Sequence, residues 1–136
     1  MDNWLGSWFK PCIDQGLLTI GLLPATKLQM IAVPDIGKYG LLGFEQHAEL
    51  NGKALDIAGD ELTMPETAKI ISQAIGKEIT FAPTPIEEVR NYSADFAAML
   101  DWFNKVGYNA DIKGNEKTYG IKATSFSEWA KKQSWK

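Results

Sequence analysis

The chain has 136 residues, 45% of them hydrophobic, and its 14 Lys and Arg face 17 Asp and Glu for a net charge of -3. That suits a single domain over residues 1–136 with a buried core, and the acidic balance excludes the basic face of a nucleic-acid binder. A lone Cys12 excludes an intrachain disulfide and a cysteine zinc site, no other metal-ligand spacing occurs, and the run Leu17 to Leu23, broken by Thr19 and Gly21, is too short to span a membrane.

Met1-Asp2-Asn3 lacks the basic stretch of a secretory leader, so a cytoplasmic location is expected. Trp4, Leu5, Trp8 and Phe9 then fall on one face of a helical turn predicted to stop before Pro11. Strands are predicted at Leu17–Leu22, Leu28–Val33, Ala54–Ala58 and Glu78–Ala82, each short, aliphatic and bounded by Gly, Pro or Asn. Asp35 is placed to cap a helix over the Gly37 to Gly43 stretch.

Three helix starts share one device, a Ser or Thr hydroxyl facing a Glu three residues on: Thr63 with Glu66, Thr84 with Glu87, and Ser125 with Glu128. Pro65 and Pro85 suit the first turn, and Gly76 and Gly107 supply left-handed stops. The first helix, Met64 to Ile75, has an apolar face of Met64, Ala68, Ile71 and Ile75. A second, unbroken from Pro85 to Val106, carries a stripe from Ile86 and Val89 through Tyr92, Phe96, Leu100 and Phe103.

A helix between Ala54–Ala58 and Glu78–Ala82 predicts a parallel βαβ unit in which those strands are neighbours. Tyr108 to Thr124 reads as polar loop with a turn at Gly114-Asn115, and the lysines after residue 113 read as a solvated C-terminal helix. The expected class is α/β or α+β, with short strands and three to five helices.

Gly37, Gly40 and Gly43 have the spacing of a dinucleotide fingerprint, a predicted strand precedes them, and Asp60 follows Gly43 by seventeen residues, where an acid would take a ribose hydroxyl. NAD or NADP binding through Gly37, Gly40, Gly43 and Asp60 is therefore one reading. The turn chemistry opposes it. Pro34-Asp35 separates strand from glycine, and a carboxylate at the helix start occupies the place of the anion. Glycines inside a helix are then expected to let another backbone approach closely.

No catalytic residue is expected. A Lys four positions after a Tyr can lower the phenol's pKa so that it passes a proton, but the residues four after Tyr39, Tyr92, Tyr108 and Tyr119 are Gly43, Phe96, Ile112 and Ala123. His47, the sole histidine, has no triad to join.

The run Val33-Pro-Asp35-Ile-Gly37-Lys-Tyr-Gly40, followed by Leu55-Asp-Ile-Ala-Gly59-Asp-Glu-Leu-Thr63, resembles the second half of NmrA-like proteins, a branch of the atypical short-chain dehydrogenases. The resemblance covers roughly residues 1–106, is specific from Asp35 to Phe81 and weakens after Tyr108. It implies the C-terminal substrate domain of a Rossmann-like fold. Members generally bind NAD(P) through an N-terminal half that these residues do not match, and act as redox-sensing regulators or reductases.

The resemblance further implies that the Trp4, Trp8 and Phe9 stretch borders a substrate cleft, and that these strands and the Asp35 helix pack on a large parallel sheet. The expected protein is a non-enzymatic module without a cofactor, taking a small apolar ligand or a protein partner through Trp4, Trp8 and Phe9. Two alternatives stand beside it: an NAD(P)-binding redox sensor or reductase, and a fragment without selected activity. A homodimer is expected, because an uncovered apolar face rarely stays exposed.

Overall fold

Short strands alternate with helices in the computed structural model, which describes residues 1–135. A 3-10 turn, Asp2–Leu5, leads into α1 (Lys10–Asp14), β1 (Leu17–Ile20), β2 (Lys27–Met30), α2 (Val33–Glu45), α3 (His47–Leu50) and β3 (Asp60–Thr63). Then come α4 (Met64–Ile75), β4 (Thr80–Pro83), α5 (Ile86–Tyr92), α6 (Ala94–Lys105), α7 (Ile112–Tyr119) and α8 (Phe126–Lys132). The mixed α/β class agrees with expectation. Helices outnumber the three to five expected because some predicted loop is helical and one predicted helix is two.

The strands form two separate pairs. β1 and β4 run parallel, with Leu17 opposite Thr80 and Ile20 opposite Pro83. β2 and β3 run antiparallel, with Lys27 opposite Thr63 and Met30 opposite Asp60. Ala54–Ala58 is not a strand: its backbone meets no ladder, and the Asp56 carbonyl instead accepts from the Asn115 amide at 2.8 Å. The expected βαβ unit is corrected accordingly. The strand before α4 is β3, and it lies in a different sheet from β4.

Local signals explain α4. The Thr63 hydroxyl accepts from the Glu66 backbone, Glu66 returns a carboxylate to the Thr63 N–H at 2.8 Å, and Gly76 ends the helix at φ 73°. Ser125 and Glu128 repeat this box at α8. Pro11 falls in the first turn of α1, where its missing N–H is harmless, so it opens a helix where a stop was expected.

Two other helix expectations need correcting. The Pro85 to Val106 helix is broken at Ser93, whose backbone is extended (φ -156°, ψ 105°) and whose hydroxyl accepts from the Phe96 N–H at 3.2 Å, so that α6 starts afresh. Gly114-Asn115 lies inside α7, because the Asp111 carboxylate caps that helix on the Gly114 N–H at 2.8 Å.

The core gathers Ile13, Leu18, Leu22, Met64, Ile71, Leu100 and Phe126, all essentially inaccessible to water. Each such side chain contributes roughly 1.5–3 kcal/mol on removal from water. α8 belongs to this core rather than to the solvated surface, with Phe126 and Trp129 stacked at 5.2 Å against α4 and Lys131 and Lys132 facing out.

Candidate functional site

Ala32 caps α2 and Pro34 occupies its first turn, which places Asp35 within the helix and not at the cap as expected. Its side chain is enclosed, accepting from Lys38 Nζ at 2.7 Å and from the Thr124 backbone N–H at 2.6 Å. Burial pushes this carboxyl up, but the hydrogen bonds from Lys38 and Thr124 outweigh it and hold the group below the usual carboxylate range.

Gly37, Gly40 and Gly43 sit inside α2, each solvent-exposed. Beyond the adjoining residues and backbone of α2 itself, no described atom lies within 4 Å of a Cβ placed on any of the three, so the expected close approach of another backbone is absent. Beside them Val33, Ile36, Leu41 and Phe44 form an exposed apolar stripe. Asp60 is engaged elsewhere, accepting from its neighbour Glu61 N–H at 2.9 Å and from the Phe126 N–H at 2.8 Å. The glycines therefore offer no strand-end cradle for a phosphate, and Asp60 holds the start of α8.

A cleft of about 610 Å³ opens at the carboxyl ends of β1 and β4, between the N-terminal segment and the α5–α6 junction. Trp8, 74% exposed, and Phe9 line it. Trp4 does not: it is buried against Phe9, ring centroids 4.7 Å apart, and its indole N–H donates to the Met30 sulfur at 3.3 Å. On the far side Tyr92 and Phe96 flank Ser93 at the helix break, so the break itself shapes the mouth.

Along the floor the Thr19 and Thr84 hydroxyls lie 2.6 Å apart. Thr84 was expected to cap a helix. That helix starts from Pro85 without a side-chain cap, since a residue before a proline is disfavoured in helical conformation and the Thr84 hydroxyl is turned to Thr19. Thr19, Thr84, Ser93 and Phe96 are among the cleft residues that sequence reasoning missed. Nothing local marks the two threonines, since Thr19 lies inside the predicted strand Leu17–Leu22 and Thr84 two residues beyond the predicted strand Glu78–Ala82.

Cys12 also lines this cleft, and among the described residues no charged side chain does. A smaller cleft of about 340 Å³ holds His47, Lys53, Tyr39 and Tyr119. Burial, then the charges of Asp35 and Glu116, push the Tyr39 phenol up, opposite to what proton transfer near neutral pH requires. Among the described residues no three metal-ligating side chains cluster, and no helix is long and apolar enough to cross a membrane.

The model of the NmrA-like family matches residues 4–133, reaching through α7 and α8 beyond the stretch where the sequence resemblance is specific. A triphenylmethane reductase from Citrobacter sp. superposes with a TM-score of 0.72 at 16% identity, over 98% of this chain and 50% of the reductase. The same reductase complexed with NADP(H) gives 0.70 at 17% identity, over 96% and 49%. A nucleoside-diphosphate-sugar epimerase from Staphylococcus aureus gives 0.68 at 19% identity, over 91% and 47%. At these identities the likeness is one of fold, and the chain spans about half the length of each structure. No curated protein sequence matches it.

Proposed function

Because the chain belongs to the NmrA-like family, we propose that it is a ligand-binding module whose cleft between Trp8, Phe9 and the α5–α6 junction takes a small, largely apolar molecule. The supporting observation is the lining: aromatic walls, a few convergent hydroxyls and, among the described residues, no charge, which is the usual make-up of a small-molecule site. These residues carry no proton-relay pair, so the module acts by binding and not by redox chemistry of its own.

A second reading is dinucleotide binding, favoured by the NADP(H) complex of the Citrobacter reductase. In this chain the exposed glycines of α2 and the engaged Asp60 weigh against it.

Nile red, a neutral apolar dye, and NADPH separate the two. Nile red is expected to brighten with the native protein and to lose most of that signal in Trp8→Ala. An equal signal in Trp8→Ala would remove the cleft from consideration. A micromolar NADPH dissociation constant that vanishes in Gly40→Val would favour the second reading.

A further inference from the structure

Resting on that ligand-binding reading, we propose that the cleft selects a neutral aromatic molecule bearing an acceptor oxygen, such as a ketone, with that oxygen on the Thr19–Thr84 hydroxyl pair.

The proton count on the floor carries the argument. Thr19 Oγ1 and Thr84 Oγ1 are 2.6 Å apart, and either can donate. Each hydroxyl owns one proton, so their mutual bond uses one and leaves the other without an acceptor among the described residues. Ser93 adds a second such proton: its oxygen accepts from the Phe96 N–H at 3.2 Å, while its own O–H has no acceptor among the described residues. The cleft therefore offers hydroxyl donors.

Charge narrows the class. Among the described residues no Lys, Arg, His, Asp or Glu lines the cleft, so an ionised ligand would lose its water and find no opposite charge there. A pure hydrocarbon has the converse fault. It fits the aromatic walls but displaces the water that satisfies the free hydroxyl protons. A flat ring with one neutral acceptor oxygen meets both demands, since Trp8, Phe9 and Phe96 supply ring faces and edges for it.

The test uses three probes of nearly one shape on the whole chain: acetophenone, its isosteric hydrocarbon α-methylstyrene, and benzoate. Binding is followed by the shift of the Trp8 indole N–H resonance. Acetophenone is expected to bind about tenfold more tightly than the other two, the discrimination typical of a site whose polar groups would otherwise go unpaired. In Thr19→Val/Thr84→Val, acetophenone should fall to the level of α-methylstyrene, whose own affinity stays unchanged. Thr84→Ser, which retains a hydroxyl, should keep the preference and shows that the valines act through chemistry and not through misfolding. Equal binding of acetophenone and α-methylstyrene, or tighter binding of benzoate, overturns the inference and leaves the cleft a ligand site. Absence of any shift at Trp8 with all three probes overturns the underlying reading as well.

Discussion

The Asp35 carboxylate accepts a hydrogen bond from the Thr124 N–H at 2.6 Å although 89 positions separate the two residues. The same Thr124 presents its carbonyl to Gly59, where an added Cβ would lie only 2.7 Å away. One short stretch before α8 is thus clasped by the foot of α2 on one side and by the chain entering β3 on the other.

Asp35→Ala leaves the Thr124 N–H without its partner, so stability in urea unfolding should fall by about 1–3 kcal/mol. A loss under about 0.5 kcal/mol, the range of an ordinary surface change, would show that the bond contributes little.

The same carboxylate makes stability depend on pH. Its folded pKa is depressed by Lys38 and Thr124, so its contribution is complete above the ordinary carboxylate range, about pH 4, and is lost as the pH falls through the lower folded value. Glu66 and Glu128 are lowered in the same direction by Thr63 and Ser125, but both are exposed and add little. Melting temperatures from neutral to acid pH should therefore drop less steeply in Asp35→Asn than in the wild type. Parallel curves would contradict the role given to Asp35.

Gly59→Ala forces a methyl against the Thr124 carbonyl at 2.7 Å and close to the Met30 carbonyl at 3.4 Å. The Met1 side chain at 3.3 Å can move aside, but the tightest obstacle is backbone, so a loss of about 1–3 kcal/mol is expected on thermal unfolding. An unaffected melting temperature would mean that the loop shifts freely.

Gly40→Ala should do the reverse. The position is helical and open, with no described atom beyond the adjoining residues and backbone of α2 within 4 Å of the new methyl, so removing the glycine's excess freedom should stabilise by about 0.5–1 kcal/mol. Destabilisation of that size would restore the view that this glycine is needed for close approach.

Ile71 is wholly buried on α4. Ile71→Ala should cost about 2–5 kcal/mol by chemical denaturation. A value near zero would place the core elsewhere.

Local chemistry made α4 and α8 legible in the sequence, since a Ser or Thr, a Glu three residues on and an apolar face lie within one short window. Trp8 and Phe9 were legible as an aromatic cluster, though spacing grouped them with Trp4, which packs inward on Met30. The break at Ser93 was hidden because the apolar stripe runs through Tyr92 and Phe96 in helical phase, and periodicity cannot register a single extended residue. Ala54–Ala58 has the composition of a strand but no ladder partner among the described residues, and its Asp56 carbonyl is met by Asn115 from 59 positions away. The floor of the cleft had no signal within a window, because Thr19 and Thr84 meet only when β1 lies beside β4.

That parallel pairing also sets a schedule. Thr19 waits for Thr84, 65 positions later, and at about 5–20 residues per second synthesis alone holds β1 without its partner for roughly 3–13 seconds. During that interval Leu18 and Ile20 belong to an unpaired, aliphatic strand edge, the kind of surface that recruits other nascent chains. The later segments, by contrast, can turn over quickly as they emerge, with α4 and the α5–α6 hairpin closing over short loops. The cleft therefore exists only once β4 and the α5–α6 junction have joined β1, and a slow step in that stretch of biogenesis would be felt there first.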